Sequence, residues 1–207
     1  MRVPIPDELI IAFLLASQPA EHTAIVGFIG LRTLAELRFG QVPCLIVNGE
    51  ELVQSTTIVR FIAKAFDTTG HLYPSSPLIA ARVDAVMDQI NDMMQGWGPA
   101  RYRERFGYTD AVGFTDEVAG KVQQAFIAEV LPRHFTYFES LLANMTTPWV
   151  AGTAEPTIAD FMLAAQLKNL QGFLTSHGVA LPPKLQALVE AVYALPSVVT
   201  FKAQESS

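Results

Sequence analysis

Two short segments on either side of residue 50 combine residue types that can hold a small polar ligand. Gln54 and Ser55 stand where a strand pattern passes into a helical one, and the first turn of a helix offers free N–H groups to an anion such as a carboxylate. Val42-Pro43 opens the preceding strand, and a cis bond there would expose the Val42 backbone to a ligand. When each segment is considered alone, its spacing favours a purely structural role. Ser55 or Thr56 would then be a helix cap, and Pro43 would be an ordinary trans proline that opens a strand.

A second candidate is a stripe of acids. Asp84, Asp88 and Asp92 recur every four residues and so share one face of a helix, where they could hold an ammonium group or a metal. A solvated helix face is the favoured interpretation of that stripe. Cys44 lies in an apolar strand, where a thiol behaves as an inert small hydrophobe. The histidines show no metal-ligand spacing, so the sequence predicts no metal site: His22, His71, His134 and His177.

The candidate ligand-binding segments belong to a predicted strand, turn, strand and helix over residues 43–66. The apolar run Leu45 to Val47 ends in Asn48-Gly49, the dipeptide of a tight hairpin turn. A helix follows, because apolar residues recur at helical spacing up to Phe66. Before this unit, residues 24–29 could form another strand, and residues 7–16 are apolar on nearly every side and predict a buried helix.

Beyond a linker rich in Gly, Pro and Ser over residues 67–78, the chain is predicted to be helical. Pro132 should kink or divide one long helical stretch, and Pro196 should end the last helix. Thr157 and Asp160 have the spacing of a capping box, with aspartate in place of the usual Glu or Gln. Residues 96–116 are irregular and rich in aromatic side chains. The predicted fold is therefore α+β, with a small domain over residues 1–67 and an all-helical domain over residues 77–207.

Composition excludes several classes of protein. Among 207 residues half are apolar and 16% are charged, which excludes a disordered chain, and the net charge of −6 argues against nucleic-acid binding. The single cysteine excludes a disulfide framework. The longest apolar run, residues 9–16, is far short of the roughly 18–20 residues of a membrane span. We therefore expect a cytoplasmic protein that binds neither membrane nor nucleic acid, and the low charge suggests burial against a partner subunit.

Taken together, these segments resemble the cytosolic glutathione transferases. The similar stretches are FGQVPCLIVNGEELVQSTTIVRFIAKAF, AARVDAVMDQINDMM, WVAGTAEPTIADF and LPSVVTFKA, which occur in family order over about 170 residues. The sequence pattern is most similar to that of the sigma class and its mu, pi and alpha relatives. The resemblance implies a thioredoxin-like N-terminal domain, a helical-bundle C-terminal domain, a homodimer, and conjugation or isomerisation of small apolar electrophiles with reduced glutathione as co-substrate.

The resemblance also implies roles for individual residues. Val42, before a cis Pro43 and beside Gln41, would pair with the cysteinyl backbone of glutathione. Gln54 and Ser55 would hold the γ-glutamyl carboxylate. Asp92 would reach the γ-glutamyl ammonium group from across the dimer interface. The second-substrate pocket is expected to include Trp97, Tyr102 and Phe106.

The beginning of the chain departs from the family pattern. Counted back from FGQVP, the family's first strand and its thiol-activating tyrosine would fall at or before Met1, so the N-terminal domain is predicted to be shortened and the catalytic residue is unknown. Arg2 could supply a positive field instead. The family's contacts to the glycyl carboxylate fall near Gly30 and Leu34, where only Arg32 and Arg38 are possible substitutes.

Two alternatives to an active transferase follow from that departure. The chain could be a non-catalytic glutathione-transferase-like protein that binds apolar ligands or docks on other proteins. The other possibility is that Met1 is not the biological start, in which case a longer chain would restore the strand and its tyrosine.

Overall fold

The computed structural model of the chain describes residues 26–28 and 37–205. Its sheet is antiparallel, in the order β1 (Val26–Phe28), β2 (Cys44–Val47) and β3 (Glu50–Val53). Asn48 and Gly49 join β2 to β3 with φ angles of 51° and 84°, the two positive angles that a tight hairpin turn of this hand requires. The hairpin predicted from Asn48-Gly49 is thereby confirmed, and the strand predicted over residues 24–29 is present as β1.

Helix α1 (Ser55–Phe66) follows β3 after the single residue Gln54. It buries one face, formed by Ile58, Val59, Ile62, Ala63 and Phe66, and it packs against β2, β3 and a central helix of the C-terminal region. Ile58, Ile62 and Phe66, whose helical spacing predicted this helix, lie on its buried face, whereas Ala65, the fourth residue of that pattern, is exposed.

The rest of the described chain is helical, as predicted. The bounds of the α-helices are α2 (Pro77–Gln95), α3 (Gly98–Arg101), α4 (Asp116–Ala125), α5 (Leu131–Ala143), α6 (Ile158–Ser176), α7 (Pro183–Tyr193) and α8 (Pro196–Glu205). Helix α6 is central: it packs on α1, α2 and α7. The irregular stretch predicted over residues 96–116 contains α3 and two short 3₁₀ turns, Arg103–Phe106 and Asp110–Val112.

Prolines divide the helices in two different ways. A π-helical turn, Phe126–Val130, separates α4 from α5, and Pro132, which has no N–H, lies in the first turn of α5. The prediction that Pro132 divides this stretch is therefore confirmed. The prediction of a last helix ending at Pro196 is wrong in one respect, because α7 ends at Tyr193 and Pro196 is the first residue of a further helix, α8. A proline that stops one helix is equally suited to begin the next.

One hydrophobic core runs from Leu45 in the sheet through α1 into α2, α6 and α7. At its centre the predicted capping box is confirmed. Asp160, which is fully buried, accepts hydrogen bonds from the Thr157 N–H at 2.7 Å, the Thr157 hydroxyl at 2.9 Å and the Val150 N–H at 2.8 Å. The carboxylate thus fastens the loop before α6 to the first turn of that helix.

The predicted α+β class is confirmed: a small sheet with α1 precedes a helical region. The boundary between domains at residues 67–77 stays a prediction, and the helix predicted over residues 7–16 and the shortened N-terminus lie outside the described residues. Within the ranges that are described, no helix is long and apolar enough to cross a membrane.

Candidate functional site

The β2–β3 hairpin brings the two candidate ligand-binding segments to one end of the sheet. Cys44, the first residue of β2, pairs with Val53, the last residue of β3. Residues directly opposite each other in an antiparallel pair are about 4.5–5.5 Å apart between Cα atoms. Val42-Pro43 leads into this pair and Gln54-Ser55 leaves it, so the segments are neighbours in space.

The Val42-Pro43 peptide bond is cis. Spacing alone favoured a trans bond at this position, whereas the family resemblance implied the cis form. Pro43 is buried, Gln41 and Val42 are half-buried, and the strand ladder begins only at Cys44. The backbone of Val42 therefore borders the sheet without belonging to its ladder.

Gln54 has an unusual backbone conformation at the junction of β3 and α1. Its φ of 73° and ψ of 119° are rare for a residue with a side chain, and such conformations cluster at ligand-binding positions. Gln54 is the N-cap of α1, but its side chain makes no capping hydrogen bond, and Ser55 is the first helical residue. The interpretation of Ser55 or Thr56 as the helix cap is therefore wrong. The first turn keeps N–H groups and the positive end of the helix dipole available to an anion.

The acidic stripe on α2 is only partly a solvated face, because two of its three members bind an arginine of α1. Arg60 Nε lies 2.6 Å from Asp84 Oδ1, and its terminal nitrogen lies 3.4 Å from Asp88 Oδ1. Tyr73 donates its hydroxyl hydrogen to the other Asp84 oxygen at 2.8 Å. The cation that this part of the stripe holds is thus a guanidinium of the same chain, and no group of three or more potential metal ligands occurs among residues 26–28 and 37–205.

Asp92, the third acid, is exposed and accepts a long hydrogen bond of 3.5 Å from Gln95. Nearby, the buried ring of His134 on α5 meets the Gln89 amide of α2 at 2.8 Å. Burial and the Arg133 guanidinium lower the pKa of His134, while the Asp92 carboxylate opposes this with a smaller effect. Asp92 therefore presents its carboxylate to the surface, away from the Arg60 pairing.

The three aromatic residues predicted for the second-substrate pocket fall into two environments. Trp97 is a core residue, only 7% exposed. Its ring stacks on Phe126 at 5.8 Å between ring centroids, and the Phe173 ring is tilted against it at 5.0 Å. Tyr102 and Phe106 are 46% and 53% exposed. The structure therefore places Tyr102 and Phe106 at the surface and Trp97 in the core.

The remaining predicted residues are placed as follows. Cys44 is buried, as expected of a structural thiol. Arg38 is exposed, and its backbone N–H donates to a Glu51 oxygen at 3.1 Å. The described residues do not include Arg2, Arg32 or the beginning of the chain, where the family pattern would place the thiol-activating residue.

Sequence reasoning missed the pairing of Arg60 and Tyr73 with the acidic stripe. The available signal was the stripe itself, since three acids on one helix face require cations nearby or solvent. The sequence did not indicate which helix lies beside α2, and so it could not select Arg60 as the partner.

Comparison with known proteins shows which family the chain is similar to. Residues 107–205 match the sequence profile of the glutathione S-transferase C-terminal domain. Glutathione S-transferase 1 of Ascaris suum is 27% identical over 164 residues, which are 77% of this chain and 71% of the relative.

Solved structures show the fold. Na-GST-3, described as a monomeric glutathione S-transferase of the hookworm Necator americanus, superposes with a TM-score of 0.68 at 23% identity, covering 96% of this chain and 91% of the other. A rat hPGDS complexed with a quinoline gives a TM-score of 0.68 at 21% identity, covering 96% and 89%. These likenesses confirm a thioredoxin-like domain followed by a helical domain. The profile match and the named relatives show that the chain is similar to the cytosolic glutathione transferases.

Proposed function

We propose that the chain binds reduced glutathione at the end of the β2–β3 hairpin and transfers it to small apolar electrophiles. The observation that carries this proposal is the juxtaposition of Val42, whose backbone lies outside the strand ladder, with the uncapped first turn of α1 at Gln54 and Ser55. Relatives that are named glutathione S-transferases support the reaction class.

The local chemistry fits a peptide that carries a carboxylate. The N–H groups at the start of α1 and the Ser55 hydroxyl can donate to the γ-glutamyl carboxylate, which also neutralises the positive end of the helix dipole. Val42 offers a backbone N–H and C=O outside the strand ladder, and these can pair with the cysteinyl unit. The thiol of the bound peptide would lose its proton to solvent, and the resulting thiolate would attack the electrophilic carbon. A carbon–sulfur bond forms as the bond to the leaving group breaks.

The acid for the γ-glutamyl ammonium group is Asp92, acting across a homodimer. This proposal is supported by the family resemblance and by the exposure of Asp92 on α2. A cytoplasmic location is proposed on the same resemblance.

The test is a calorimetric titration with reduced glutathione at pH 7, alongside the same titration of Ser55→Ala. We expect a dissociation constant between micromolar and millimolar, raised about tenfold in the variant because a hydrogen bond to a charged group is lost. Turnover of a chlorodinitrobenzene-type electrophile should exceed the uncatalysed rate, and sedimentation velocity on the same sample should show a dimer.

The possible results separate the hypotheses. Glutathione binding without turnover would contradict the transferase proposal and leave a ligand-binding protein. Failure to bind glutathione at all would overturn the proposed site.

The second-substrate surface is proposed to include Tyr102 and Phe106, with Trp97 supporting them from the core. Because both residues are about half exposed, replacing either by alanine should change the free energy of unfolding by less than about 1 kcal/mol. The KM for the electrophile should rise several-fold while the Kd for glutathione is unchanged. Tyr137→Ala, which truncates a comparably exposed aromatic residue on α5, is the control. Equal effects of all three substitutions on that KM would contradict the assignment.

A further inference from the structure

Four side chains from three successive segments converge between α1 and α2. We name Arg60, Tyr73, Asp84 and Asp88 the Arg60 cluster. Arg60 lies on α1, Tyr73 in the connection after it, and the two acids on α2. Both oxygens of Asp84 are engaged, one by Arg60 at 2.6 Å and the other by Tyr73 at 2.8 Å.

This arrangement differs from an ordinary surface ion pair. The side chains of Arg60 and Asp84 are 24% and 38% exposed, whereas those of Lys121 and Glu117, a pair within α4, are 69% and 77% exposed. Partial burial reduces solvent screening, and multiple hydrogen bonds to one carboxylate restrict the geometry. The Arg60 cluster therefore fixes the relative position of the elements it joins more tightly than an exposed pair could.

The connection between α1 and α2 is itself held at several points. Lys64 of α1 lies 4.4 Å above the Tyr73 ring. Leu72 donates its N–H to Asp67 at 2.7 Å and accepts from the Ile158 N–H, at the start of α6, at 2.9 Å. The segment that carries Tyr73 is thus anchored to α1 and to α6. Tyr73 in turn holds the Asp84 carboxylate through the hydrogen bond from its hydroxyl.

We propose that the Arg60 cluster is a positioning device for glutathione, acting through the first turn of α1; this inference rests on the proposed function. Arg60 follows Ser55 by five residues, an axial rise of about 7.5 Å along a helix. Asp84 precedes Asp92 by eight residues, or about 12 Å on α2. The cluster thereby fixes α1, the helix that offers N–H groups to the carboxylate, against α2 of the same chain.

The experiment compares four variants with the unmodified chain by calorimetric titration with reduced glutathione, well below the unfolding transition. Arg60→Gln removes the guanidinium, Tyr73→Phe removes one hydroxyl with little loss of packing, and Arg60→Gln with Asp84→Asn removes both partners. Arg82→Gln is the control, since Arg82 is an exposed arginine on the same helix as the acids.

We expect Arg60→Gln to raise the Kd for glutathione about fivefold to tenfold and Tyr73→Phe about twofold to threefold, with Arg82→Gln unchanged. The double variant should bind no more weakly than Arg60→Gln alone, because the two residues act as one unit. The KM for glutathione should rise in parallel with Kd, while kcat at saturating glutathione stays within about twofold.

A lowered melting temperature with an unchanged Kd in both Arg60→Gln and Tyr73→Phe would overturn the inference and leave a purely structural contact. A change in Kd that accompanies only dissociation of an oligomer would overturn it as well, since the contacts described lie within one chain. If the unmodified chain fails to bind glutathione, the proposed function falls and this inference with it. Unchanged binding in the variants overturns the inference alone.

Discussion

Replacing Asp160 by alanine is expected to lower the free energy of unfolding by about 3 kcal/mol, because two buried backbone N–H groups lose their acceptor. The carboxylate accepts from the N–H and hydroxyl of Thr157 and from the Val150 N–H, all at 2.7–2.9 Å. Burial raises the pKa of Asp160, and these hydrogen bonds oppose that rise. The variant removes every one of these bonds at the start of the helix that forms the centre of the core.

Guanidinium chloride denaturation followed by far-ultraviolet circular dichroism measures the loss. Asp110→Ala is the matched control, since Asp110 is exposed at the start of a 3₁₀ turn and its removal should cost less than about 0.5 kcal/mol. The loss of unfolding free energy in Thr157→Ala should lie between those of Asp160→Ala and Asp110→Ala, because the backbone N–H of residue 157 keeps its hydrogen bond to the Asp160 carboxylate. A loss below about 1 kcal/mol in Asp160→Ala would contradict the role assigned to the carboxylate.

Local patterns predicted the parts of the fold that depend on neighbours in sequence. Asn48-Gly49 specified its turn because both residues tolerate positive φ, and Thr157 with Asp160 specified a cap because the contact spans one helical turn. The β2–β3 hairpin and α1 follow from the same kind of local pattern, and with them the place of Gln54 and Ser55.

Features that depend on distant parts of the chain were not predictable in this way. Trp97 stands in an aromatic-rich segment, and composition alone cannot separate a side chain packed against Phe126 and Phe173 from one lining a pocket. The partner of Asp84 could not be predicted from the sequence, because Arg60 lies 24 residues earlier and only the fold brings the two side chains together. A proline at residue 196 is compatible with ending one helix or beginning another, and in the structure it begins α8, which contacts α7.

Replacing Ser55 by aspartate is expected to raise the Kd for glutathione at least about 100-fold, or about 2.7 kcal/mol, because a fixed carboxylate would occupy the position proposed for the γ-glutamyl carboxylate. The fold should not be harmed. An acid in the first turn complements the helix dipole, and α1 has none there, so the melting temperature should stay the same or rise. Loss of binding without loss of stability would assign the effect to the site itself.

Ser76→Asp provides the control, because Ser76 is the exposed N-cap of α2 and the change places the same charge at the start of a different helix. Its melting temperature should also be maintained, while its Kd for glutathione should match that of the unmodified chain. Calorimetric titration and differential scanning calorimetry on the same samples give both quantities. If Ser55→Asp binds glutathione as tightly as Ser76→Asp does, the carboxylate is not held at the first turn of α1, and the ligand must approach the hairpin in another orientation.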